Sequence, residues 1–132
     1  MTLNQEEISV RNTFLIDPEG RGNDHLWIVV LELAERSALG ERRFLLANVT
    51  SAHHHVDGAC VLNPRERGQH PFIRHPSAIN YRGIIAVEES RLRSYLHCRR
   101  EDVSPIILQR IQNCAHRSDY IKKRWKELFP VD

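Results

Sequence analysis

Five histidines, His53, His54, His55, His70 and His75, fall within 23 residues, and His25 and His97 flank them. Imidazole gains and loses its proton near neutral pH, so such a group can serve acid–base chemistry or bind a metal. Cleaving RNA without a metal needs a base for the 2′-hydroxyl, an acid for the leaving oxygen, and a cation or donor for the phosphorane charge. His70 and His75 can form the acid–base pair, while Thr50 and Arg74 can hold the phosphate. The stretch from Gly68 to Ser77 carries His70, Arg74 and His75 and is stiffened by Pro71 and Pro76. A metal is the other chemistry: His53, His55, Asp57 and Cys60 could ligate one, with His70 or His75 completing the set. No zinc spacing such as HExxH occurs, however. Histidines beside prolines also cap turns, and His53 and His54 read as surface residues.

These groups need elements to hold them. Residues 10–16 suit a short strand stopped by the turn cluster Asp17-Pro18-Glu19-Gly20. Residues 25–33 are dense in β-branched and aromatic side chains and read as a buried strand. Residues 43–50 form the next, with Thr50 and Ser51 at its end, where a side chain leaves the sheet for a rim. Residues 59–62 make a short strand. Residues 77–82 and 83–87 make two more, or one bent at Gly83. Residues 88–96 read as a short helix or turn. Ser104 followed by Pro105 marks a helix start, and Ile107, Ile111 and Cys114 recur at helical spacing. A break is expected around Arg117-Ser118-Asp119, with Ile121, Trp125 and Leu128 continuing the stripe. Short strands followed by helices imply a mainly β, α+β fold: a curled, partly open barrel of five to seven strands closed by C-terminal helices.

The 132 residues fit a single domain, 1–132, with a strand-rich body over about 10–87 and a helical segment over about 88–129. The longest apolar runs, Leu26–Leu31 and Ile84–Val87, fall far short of the ~20 residues that span a bilayer, so no membrane partner is expected. Residues 1–10 are polar and acidic, unlike a secretory signal, and the expected location is cytoplasmic. Cys60, Cys98 and Cys114 show no CxxC spacing and read as reduced thiols. Net charge is only +2, yet residues 64–82 gather Arg65, Arg67, Arg74 and Arg82 against Glu66, a local zone able to attract phosphate. There is no GxxxxGK[ST] loop, GxGxxG turn or GxSxG elbow, which disfavours triphosphate, dinucleotide and α/β-hydrolase chemistry.

The order of segments from about residue 25 to 116 resembles the MazF/PemK-like toxins of toxin–antitoxin modules, whose SH3-like barrel is shared with the gyrase-poisoning CcdB toxins. The matching pieces are His25-Leu26-Trp27-Ile28-Val29-Val30, then Arg43-Phe44-Leu45-Leu46-Ala47-Asn48-Val49-Thr50-Ser51, then His75-Pro76-Ser77-Ala78-Ile79-Asn80-Tyr81 with Gly83 to Val87 and Arg91-Leu92, and Asp102-Val103-Ser104 before Ile107-Leu108 and Ile111. The resemblance implies a toxin that cleaves single-stranded RNA to a cyclic phosphate without metal or other cofactor, forms a homodimer and is neutralised by an antitoxin protein. Thr50 stands at the family's catalytic Thr/Ser position. The family's arginine before proline is replaced by His25, so His25 or Arg74 would supply its role. The expected catalytic groups are therefore His25, Thr50, His70 and His75, with Ser51, Arg74, Ser77 and Tyr81 as substrate contacts. Two alternatives stand beside this: an SH3-like module that binds a peptide or protein without catalysis, and a metal-binding protein using the histidine-rich segment.

Overall fold

The computed structural model describes residues 7–52 and 57–131. Six strands form one sheet: β1 (Thr13–Ile16), β2 (His25–Glu32), β3 (Arg43–Ser51), β4 (Val61–Leu62), β5 (Ser77–Glu88) and β6 (Arg99–Arg100). Their order across the sheet is β4-β5-β3-β2-β1-β6, and every pairing is antiparallel. Three α-helices accompany them, α1 (Glu89–Arg93), α2 (Pro105–Cys114) and α3 (Lys123–Lys126), with 3-10 turns at Leu96–Cys98 and Ala115–Arg117. The α+β, partly open barrel expected from the sequence is the architecture observed. No helix among the described residues is long and apolar enough to cross a membrane.

The sheet buries both faces, which is why β2 and β3 read as unbroken apolar runs rather than alternating ones. On one face Leu26, Ile28, Val30, Leu45, Ala47 and Val49 pack against Ile107, Ile111 and Cys114 of α2. On the other, Trp27, Val29, Phe44 and Leu46 pack with Phe14, Val87 and Leu92. Truncating a fully buried leucine such as Leu45 to alanine costs about 2–5 kcal/mol. The start of α2 follows its sequence signal: the Ser104 hydroxyl accepts the Ile107 N–H at 3.3 Å, and Pro105 holds the first helical position. The chain breaks after Arg117 as expected, and the Ser118 hydroxyl there accepts the Tyr120 and Ile121 N–H groups while donating to Asp57.

Residues 77–88 form one strand with a large bulge. Between the pairs Asn48↔Asn80 and Leu46↔Ile85, β3 moves two residues while β5 moves five, so β5 carries three extra. Side chains alternate with period two, and an odd insertion switches the face of everything after it. Ile79 and Tyr81 therefore join Ile84 and Ala86 on the α2 side, and the excess is thrown out at exposed Arg82 and half-buried Gly83. The short β6, which pairs with β1, was not expected from sequence.

Candidate active site

Beyond the apolar part of the Trp27 face, β2, β3 and β5 carry polar residues in register. Trp27 lies beside Asn48, and Asn48 beside Asn80. The Asn80 amide donates to Asn48 Oδ1 at 3.1 Å, and the Gly83 N–H donates to Asn80 Oδ1 at 3.3 Å. A Cβ on Gly83 would stand 2.7 Å from Asn80 Nδ2, so the bulge closes this tightly only with glycine there.

Above this row opens a cleft of about 520 Å³. Its walls include His25 at the start of β2, Thr50 near the end of β3, Arg82 from the bulge, and Lys122 from the C-terminal segment. Asp17, Pro18, Glu19 and Arg21 form another wall. The Asp17 carboxylate accepts the Arg21 N–H at 3.0 Å and the Gly22 N–H at 2.8 Å, and these bonds hold its pKa below the usual value. Arg82 stacks its guanidinium over Tyr120, 5.4 Å from the ring centre, and forms no ion pair among the described residues. Trp27 is 3% exposed, lines the cleft, and has an indole N–H without an acceptor among the described residues.

His25 and Thr50 also line a smaller cleft around the strand ends, with Asp24, Ser51, Phe72, His75 and Ser77. There Ser51 Oγ and His75 Nε2 are hydrogen-bonded at 3.1 Å, and Ser77 Oγ donates to the His75 carbonyl at 2.9 Å. His25, Thr50, Ser51, His75 and Ser77 thus come together from separate stretches of chain. Together the two clefts offer two imidazoles, hydroxyls and a guanidinium without a carboxylate partner along one continuous wall, the group types that proton transfer at a phosphodiester requires.

His70, Tyr81 and Arg74 are elsewhere. His70 is 4% exposed, and both its ring nitrogens are taken. Nδ1 accepts the Phe72 N–H at 3.0 Å, which leaves Nε2 as the protonated nitrogen, donating to the Glu101 carbonyl at 2.6 Å. Neither nitrogen remains for a substrate; the ring ties the loop before β5 to the chain after β6. Tyr81 lies under α2, where its hydroxyl donates to the Ile111 carbonyl at 2.6 Å and burial raises its pKa. Arg74 is exposed and lines neither cleft. Of the metal set, His53 and His55 lie outside the described residues, as does His54. Cys60 is buried in the α2-side core, and no cluster of potential metal ligands occurs among the described residues.

Sequence reasoning did not single out Asn48, Asn80 or Lys122 as site residues, and it named Arg82 only as part of a basic zone. Asn48 had a signal, since it stands two residues before Thr50 and shares its face. Arg82 beside Gly83 had a weaker one, a charged residue at an expected bend. No protein-family model matches the chain, and no curated protein or solved structure is detectably similar to it.

Proposed function

We propose that this protein is a toxin-type endoribonuclease that cleaves single-stranded RNA without a metal. The observation that carries the reading is the wall shared by the two clefts: His25 and Thr50 stand between Arg82 on one side and His75 on the other. One imidazole takes the 2′-hydroxyl proton as that oxygen bonds to phosphorus. The other protonates the 5′-oxygen as its bond to phosphorus breaks, giving a 2′,3′-cyclic phosphate and a 5′-hydroxyl. Arg82 and the Thr50 hydroxyl hold the non-bridging oxygens, where charge grows in the transition state. His75 is oriented by Ser51 and Ser77, and His70 acts as a positioning residue for the loop that carries it. In this reading an antitoxin blocks the cleft, and the active form is a homodimer in the cytoplasm.

The test is incubation of purified protein with mixed-sequence single-stranded RNA in excess chelator, with the ends of any fragments identified. Cleavage to cyclic phosphates is expected, reduced about 10²–10³-fold in Arg82→Ala, the usual cost of losing one transition-state donor. Intact RNA, or equal cutting by the wild type and the Arg82→Ala and His25→Ala variants, overturns the reading. Growth arrest on expression with RNA left intact would instead favour the non-catalytic binding module.

A further inference from the structure

The cleft does not end at Lys122. A second groove of about 470 Å³ shares Glu19, Ile85 and Lys122 with it and adds Arg43, Arg91 and Arg124. Four cations thus face one carboxylate, and that carboxylate is already beside Arg21 at 3.8 Å. Arg91 is tied to the Pro18 carbonyl at 2.7 Å. Arg43, Lys122 and Arg124 form no ion pair among the described residues; Arg124 lies over the Trp125 ring, 4.7 Å from its centre. Arg42, Arg93, Arg99 and Arg110, by contrast, each meet a carboxylate. Like charges gathered round a concavity repel one another until an anion enters, and a concave wall concentrates their field. Trp125 also lines the groove and offers an aromatic surface beneath Arg124.

We propose that this groove is a second phosphate subsite, gripping the backbone of the same RNA strand at a phosphate other than the one cleaved. The occupant rests on the nuclease reading, which supplies a single strand in the adjoining cleft. Continuity through Lys122 lets one extended polyanion touch both regions. As a phosphate subsite it is sequence-independent, because contacts to the phosphate backbone carry no base information. It makes substrate length matter: a dinucleotide carries one internucleotide phosphate and reaches the cleft alone, whereas a longer strand engages the groove as well.

The test measures binding of a 2′-O-methyl oligonucleotide, which lacks the attacking hydroxyl, across a salt series. For the double variant Arg43→Gln/Arg124→Gln, affinity should fall about tenfold, and the log–log salt slope should shrink by ~0.7 for each phosphate no longer neutralised. Affinity for a 2′-O-methyl dinucleotide should be unchanged. Arg43→Lys/Arg124→Lys keeps the charge and should retain most of the binding, which separates loss of charge from loss of fold. Unchanged long-strand affinity and slope in a folded Gln variant overturn the subsite. So does polyglutamate binding that depends on these cations while oligonucleotide binding does not, which assigns the groove to an acidic protein segment. Wild-type protein that binds the oligonucleotide through these cations yet cuts no RNA removes the nuclease reading and leaves the subsite standing.

Discussion

Arg42 and Arg82 sit in two differently finished parts of one molecule. Arg42 is bonded to Glu32 at 2.8 Å and has Glu7 and Glu89 each at 3.7 Å; its bond to Glu32 raises its own pKa and lowers that of Glu32. Arg82 faces a cleft and has an aromatic ring rather than a carboxylate beneath it. Polar groups inside the molecule can be compared with those at the cleft in the same way. Under α2, Tyr81 and Gln112 each donate to a backbone carbonyl, at 2.6 and 2.9 Å, and nearby His70 uses both ring nitrogens. At the cleft, Arg82 and Lys122 form no ion pair and the Trp27 indole N–H has no acceptor among the described residues. Folding favours internally satisfied polar groups. Residual hydrogen-bonding and charge capacity therefore marks where the molecule is complementary to something outside itself.

That contrast can be broken experimentally, and the largest effect is expected at the cleft. His25→Ala should lower RNA cleavage about 10²–10⁴-fold with an unchanged unfolding midpoint; a large stability loss would show that His25 belongs to the satisfied class. His70→Ala should act first on stability, costing about 1–3 kcal/mol by denaturant unfolding, since the Glu101 carbonyl and the Phe72 N–H each lose a partner, and should lower cleavage less than His25→Ala, through the loop that carries His75. Gly83→Ala should cost about 1–2 kcal/mol and lower cleavage, because the new methyl meets the Asn80 amide and disrupts its bond to Asn48. Tyr81→Phe should cost about 1 kcal/mol with cleavage unaffected, because the bond to the Ile111 carbonyl goes while the ring stays packed.

The smallest effect at neutral pH belongs to Cys60. Burial, and then the neighbouring Cys114, push its thiol up to about 12 from an ordinary value of 9.0. The native state thus holds this proton more tightly than the unfolded chain does. Its contribution is full below about pH 9.0 and is lost as pH rises toward about 12. Cys60→Ala should leave the pH dependence unchanged at neutrality and flatten the alkaline limb of the unfolding curve. Thiol labelling of native protein at pH 7 should reach the half-buried Cys98 before either buried cysteine.

The parts of the fold legible in the sequence were those encoded locally. Ser104-Pro105 announces α2 because a cap acts within one turn, and the apolar runs of β2 and β3 announce burial on both faces. His25 and Thr50 were legible as strand-end groups, and they share a cleft. What escaped depends on register and distance. That Asn48 meets Asn80 is fixed by which residue of β5 faces β3, and three extra residues in β5 set that. Lys122 reaches the cleft through a chain reversal after α2 that no periodicity reports. His70 and His75, five residues apart with similar neighbours, diverge completely. One is held by the Glu101 carbonyl, 31 positions away, and the other by Ser51 on the rim.

The excess residues in β5 also bear on how this surface can change over time. Because Arg82 and Gly83 stand outside the paired ladder, a new side chain at position 82 alters what the cleft grips without re-registering a strand. The barrel's register is thus insulated from what stands at 82, while Gly83 beside it is held by the Asn80 amide. Folded variants should therefore accept many side chains at 82 and few at 83, while the subset that still cleaves RNA keeps the arginine.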